Sequence, residues 1–136
     1  MKVFLDSSFL IAYVLEIDSN YNKTIELEKQ GIFDNECYIS NLIVNEIVTV
    51  LGKKGTLKDV VNNYNTFKDN FKILNEYEIA NFNDKVMNSY KNHNTKLSFT
   101  DCAILETMKA NDIENLVSFD KEFKRAKNIN LIKEWS

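Results

Sequence analysis

Apolar positions along the chain follow two alternating rhythms. Short, mostly apolar runs at 3–5, 37–39, 71–74, 116–119 and 129–132 have the length and composition of strands. Between them the apolar residues recur at helical spacing. The run 9–15 is too long for a second strand without a turn, and reads as a helix opened by Asp6 or Ser7. Ser19 or Asn20 caps a polar helix reaching about Gln30, which Gly31 stops. Ser40 caps a strongly apolar helix from 41 to about 53, ending at Gly52 and Gly55. Thr56 opens an amphipathic helix with Leu57, Val60, Val61, Tyr64 and Phe67 on one side. A further helix runs from 79 to about 91, with Ile79, Phe82, Val86 and Tyr90 in register. After the polar break at 92–96 another follows from 98 to 111. Strands alternating with helices in this way predict an α/β fold: a mostly parallel sheet with helices on both faces, in three layers.

The 136 residues are 44% hydrophobic, enough to bury a core, and predict a single globular domain over 1–136. Composition also removes several chemistries. Cys37 and Cys102 are too few for a disulfide framework or a four-cysteine zinc site. The lone His93 excludes an HExxH zinc site and argues against a serine or cysteine triad. Gly31, Gly52 and Gly55 fit neither nucleotide-binding fingerprint. No apolar run approaches the ~20 residues of a membrane span, and Met1–Lys2 leads straight into a strand-like segment, so a soluble cytoplasmic protein with no membrane partner is expected. A net charge of −3 is unlike a generic nucleic-acid binder, but the argument weakens if several of the acids share one site.

Most acids fall on helix faces expected to be wet: Glu26, Glu28, Asp59, Asp69, Glu76 and Asp84. Four do not. At about 100° per residue, Glu46 shares one third of its helix circumference with Leu42, Ile43 and Val50, which points it inward; a partly exposed edge position or a salt bridge is the alternative. Asp101 is centred on the stripe formed by Leu97, Ile104, Leu105 and Met108, although Ser98-x-x-Asp101 also matches a capping box. Asp6 and Asp120 each close a strand run. Ligands of open parallel sheets bind beyond the carboxyl ends of the strands, yet each acid also suits a cap or an Asx-turn.

Taken together, two inward helix acids and two strand-end acids make a convergent cluster. Carboxylates brought that close repel one another unless a cation joins them. Oxygen-only ligation selects hard Mg²⁺ or Mn²⁺ over zinc, and a carboxylate cage with open water positions suits phosphodiester hydrolysis. Ser8, Thr100 and Ser118 stand close to these acids in sequence and are candidates to orient them, or are simple caps. Lys53, Lys54, Lys96, Lys121, Lys124 and Arg125 flank the acidic segments and are candidates for RNA phosphate contacts, or form solvated faces.

The ordered set Asp6-x-Ser8 after a strand, Asn45-Glu46 in a helix, Ser98-x-Thr100-Asp101, and Ser118-x-Asp120-x-x-Phe123 resembles the PIN domain, and in size the compact VapC-type toxin ribonucleases. The resemblance covers nearly the whole chain. It implies a five-stranded parallel sheet flanked by helices, with Asp6, Glu46, Asp101 and Asp120 as an acidic quartet that is both metal-binding and catalytic. It places Ser8, Thr100 and Ser118 at the supporting hydroxyl positions. The implied activity is Mg²⁺- or Mn²⁺-dependent endoribonuclease cleavage, with a cognate antitoxin as partner and a homodimer as the usual assembly. Cys102 stands where alanine commonly follows the aspartate, and Ser118 where threonine is more usual; neither change removes a ligand. Two other classes compete. One is a PIN-like RNA-binding or scaffold protein that does not cut. The other is a phospho-signalling receiver, which needs adjacent acids at the first strand end, where this chain has Asp6-Ser7.

Overall fold

Five short strands pair entirely in parallel in the computed structural model, which describes residues 1–133. They are β1 (Lys2–Leu5), β2 (Glu36–Ser40), β3 (Lys72–Leu74), β4 (Asn115–Val117) and β5 (Asn130–Ile132). Their order across the sheet is β3-β2-β1-β4-β5. Val3, Phe4 and Leu5 are fully buried, as the central strand of a sheet covered on both faces requires. Six helices flank the sheet: α1 (Ser7–Val14), α2 (Tyr21–Lys29), α3 (Asn41–Lys54), α4 (Leu57–Asn70), α5 (Phe82–Asn92) and α6 (Phe99–Ala110). The α/β fold expected from the apolar rhythm is therefore present, with each strand within three residues of its expected bounds. Among the described residues no helix is long and apolar enough to cross a membrane.

From β1 the chain steps outward through β2 to β3, then returns past β1 to β4 and β5. Right-handed crossovers in these two directions put α1–α4 on one face and α5 and α6 on the other. Strand order reverses between β1 and β4, and the crevice beyond their carboxyl ends is where ligands of such sheets bind.

Local chemistry sets the element ends. Gly31, at φ +91, closes α2 in the left-handed region, where a side chain would also crowd Asp34. The Thr56 hydroxyl accepts from the Asp59 N–H at 3.2 Å and caps α4. The helix expected from residue 79 begins only at Phe82, because Asn81 takes a left-handed conformation (φ 55) after a short 3₁₀ turn at Glu76–Glu78. The apolar side read for α4 is only partly used: Val60 and Phe67 are buried, whereas Leu57, Val61 and Tyr64 project outward.

Candidate functional site

Asp6 follows β1 directly. Its N–H donates to the Val117 carbonyl at 3.0 Å, which continues the β1–β4 ladder and brings Asp6 beside Ser118. Asp6 is the N-cap of α1, but its side chain does not bond the helix amides and is free for another use. The carboxylate is 5% exposed. Its Oδ2 accepts from Ser118 Oγ at 2.6 Å and from Ser8 Oγ at 2.8 Å. These hydroxyls in turn accept the backbone N–H groups of Asp120 (3.0 Å) and Phe119 (3.1 Å). Each hydroxyl has one proton and spends it on Asp6, so the 3.2 Å Ser8–Ser118 approach is a contact and not a third bond. The result is a locked corner in which the segment after β4 holds the Asp6 carboxylate in one orientation.

The other three acids are held more loosely. Asp101, half-buried at the start of α6, forms the complete capping box: its Oδ2 accepts the Ser98 N–H at 3.2 Å, and Ser98 Oγ accepts the Asp101 N–H at 2.9 Å. Asp120, also half-buried, accepts the Glu122 N–H on Oδ1 at 2.9 Å and opens the 3₁₀ turn Lys121–Arg125. Both caps foreseen as alternatives are thus formed, and each acid keeps its second oxygen free of them. Glu46 departs from the expectation of an inward side chain, because it is exposed. The inward stripe of α3 is Ile43, Ile47 and Leu51, and Glu46 lies about 100° round the helix from Ile47, on the flank.

Electrostatics nevertheless link the four. Burial pushes the Asp6 carboxyl above its ordinary value; the Ser118 and Ser8 hydroxyls oppose this, and the Glu46 charge adds to the rise. Burial likewise raises Asp101 against the pull of its Ser98 bonds, with repulsion from Asp120 and Asp6 adding to it. None of the four makes an ion pair with a Lys or Arg among the described residues. The donor set is oxygen-only, mutually repelling and unneutralised, which suits a hard divalent cation. As the side chains stand, no three His, Cys, Asp or Glu among the described residues are grouped closely enough to hold one.

The expected helpers divide. Ser8 and Ser118 bond Asp6, whereas Thr100 is exposed and bonds no carboxylate; Ser98 does that for Asp101. Lys53, Lys54, Lys96, Lys121 and Lys124 are exposed, but Arg125 is committed to Glu122 at 2.8 Å and to the Lys96 carbonyl at 3.4 Å. Glu76, expected on a wet face, is fully buried. Its two oxygens accept the Asn41 and Leu42 N–H groups at 3.0 and 3.2 Å, capping the helix that carries Glu46. It stands two residues beyond β3, and the strand-end criterion that singled out Asp6 and Asp120 would have found it too. The buried Ser40 hydroxyl, at the end of β2, has no hydrogen-bond partner among the described residues.

Comparison with known proteins yields one family match: the PIN domain model covers residues 3–129. No curated protein matches the chain in sequence. Among solved structures, Mycobacterium tuberculosis VapC20, described as a sarcin-ricin loop cleaving toxin, superposes with a TM-score of 0.78 at 20% identity, over 92% of this chain and 95% of that one. VapBC2 from Rickettsia felis, bound to a DNA fragment from its promoter, gives 0.72 at 19% identity over the whole of both chains. FitAcB from Neisseria gonorrhoeae gives 0.71 at 15% identity over 96% of each. At such identities these neighbours speak to the fold.

Proposed function

Since this chain belongs to the PIN domain family, we propose that it is an Mg²⁺- or Mn²⁺-dependent endoribonuclease and the toxin of a toxin–antitoxin pair, acting in the cytoplasm as a homodimer. One observation carries the reading: where strand order reverses between β1 and β4, Ser8 and Ser118 tie the buried Asp6 carboxylate to the segment that carries Asp120, and among the described residues no ion pair neutralises Asp6, Glu46, Asp101 or Asp120. The toxin assignment draws on the neighbours, among which are VapC20, described as a toxin, and a toxin–antitoxin complex from Klebsiella pneumoniae.

In this reading the four acids hold the ion. When bound, it supplies an oriented, acidified water and offsets charge on the attacking and leaving oxygens. The chain's own part is placement. Ser8 and Ser118 fix the Asp6 carboxylate and favour its charged form. Asp101 and Asp120 are steadied through their capping oxygens and offer the other oxygen to the site. Glu46 stands on the open flank, where substrate enters. Lys53, Lys54, Lys121 and Lys124 draw phosphates toward the acids.

A non-cutting RNA-binding or scaffold role is favoured by one fact, that Asp101 and Asp120 already have capping jobs. Asp101→Asn separates the two readings, because asparagine keeps a side-chain oxygen for the Ser98 N–H and loses the charge. Wild-type protein should cleave single-stranded RNA with Mg²⁺ or Mn²⁺ and stop with EDTA. Asp101→Asn should be folded and inactive. Cleavage by the variant at the wild-type rate would remove Asp101 from the machinery, and no metal-dependent cleavage by wild type would leave the scaffold role.

A further inference from the structure

Beside the acids, and not including them, a groove of about 890 Å³ runs along α6, between the α5–α6 turn and the segment leading into β5. Its near wall is a latch. The Arg125 guanidinium donates to the Lys96 carbonyl at 3.4 Å and to Glu122 at 2.8 Å, tying the turn before α6 to the turn after Asp120. Lys96, on the groove lining, precedes Ser98, the capping partner of Asp101, by two residues.

Three kinds of surface line it. Lys96, Lys109 and Lys127 supply positive charge along it, while Arg125 is paired with Glu122. Half-buried Leu105 and Ile129 supply apolar surface, flanked by the carboxamides of Asn94 and Asn128. Asp112 and Glu114, past the end of α6, make the far end acidic, and Glu106 stands midway along the helix. The backbone here is also unusual. Asn94, Thr95, Asp112 and Asn128, four of the five described non-glycine residues with positive φ, lie on the groove or next to its lining, and a β-branched residue such as Thr95 at φ 62 is rare.

We propose that the groove is a subsite for one or two unpaired nucleotides of the RNA flanking the scissile phosphate, an inference that rests on the nuclease reading above. Lys96, Lys109 and Lys127 match backbone phosphates. The Leu105–Ile129 surface accepts a base face, and the carboxamides and carboxylates around it offer donors and acceptors to a base edge, which only an unstacked base presents. The acidic far end repels a further phosphate and limits how much strand enters.

The test compares wild type with Lys109→Glu/Lys127→Glu, and with Lys58→Glu/Lys68→Glu on α4 as a control of equal charge change. Cleavage of an unpaired RNA with Mn²⁺ is followed across a salt series, and binding of the same fluorescent RNA is measured in EDTA. The groove variant should raise KM about tenfold at unchanged kcat, and its affinity should depend on salt with a slope shallower by about two. The control should stay within about twofold of wild type. If wild type cleaves and the groove variant keeps its KM and salt slope, or the control shifts equally, the subsite is overturned and the nuclease stands. If wild type does not cleave, the nuclease reading falls, and the EDTA binding arm still judges the groove. Should circular dichroism show the double glutamate variant unfolded, Lys109→Gln/Lys127→Gln replaces it, with the same expected change in salt slope because the same two cations are lost.

Discussion

Asp6 and Glu46 carry the same charged group toward the same site and are held in opposite ways. Asp6 is buried, bonded by two hydroxyls whose own positions are set by backbone amides of the β4 exit. Glu46 is exposed on the flank of α3, with no hydrogen bond of its own, and is positioned only by its helix, whose first turn Glu76 caps. One side of the candidate site is thus preorganised at the cost of desolvating a carboxylate, while the other remains adaptable. On the proposed reading, such a site has a fixed anchor for a cation and an adaptable acid on its open flank.

The sharpest challenge to this contrast is to neutralise each acid in turn. Asp6→Asn and Glu46→Gln should each lower metal-dependent cleavage by about a thousandfold or more, measured on labelled RNA with Mn²⁺. Their melting temperatures in EDTA should diverge: Glu46→Gln should melt with wild type, because its side chain is exposed and unbonded. Asp6→Asn should melt higher at neutral pH, since it removes a buried, repelled charge. Equal melting of the two would show that burial does not distinguish them.

Glu76→Ala tests the support of the loose side. It leaves the Asn41 and Leu42 N–H groups without their buried partner and should destabilise by about 2 kcal/mol in urea unfolding, with cleavage reduced through a disordered α3 start. Ser118→Ala tests the rigid side. It removes one of two donors to Asp6 and the acceptor for the Asp120 N–H, so a loss of about 1–2 kcal/mol is expected. It should also move the acid limb of the cleavage pH profile upward, because the bond that favours the charged Asp6 is gone.

The smallest effect is a slope. Asp6 and Asp101 are raised above 3.8, so over the interval between that value and their folded values the native protein binds more protons than the unfolded chain. Stability without metal should therefore fall as pH climbs through this window, and Asp6→Asn should flatten the fall. Saturating Mn²⁺ should reverse it, since the ion binds the ionised native form. A metal-free melting temperature that rises through the same window would contradict the desolvation of Asp6.

Much of this was legible from residue order. Mostly apolar runs bounded by capping residues locate the strands and helices, because the central strands are buried and helix ends need specific side chains. Asp6, Ser8 and Ser118 were readable for the same reason: a strand end in a parallel sheet is a fixed place in three dimensions. Glu46 was misjudged because a window of one third of a helix includes its flank, and only the neighbour it packs on decides which edge of the stripe turns in. Glu76 was misjudged because its role lies in another helix, 35 residues earlier in the chain.

Local sequence by itself determined the elements, their caps and the kinds of donor available, since these depend on propensity, periodicity and side-chain chemistry within a few residues. Only the tertiary structure decided which hydroxyl reaches Asp6, that Glu76 is dry and Glu46 wet, and that Arg125 is occupied by Glu122. Those outcomes turn on distances between segments far apart in the chain, where a shift of one ångström makes or removes a hydrogen bond.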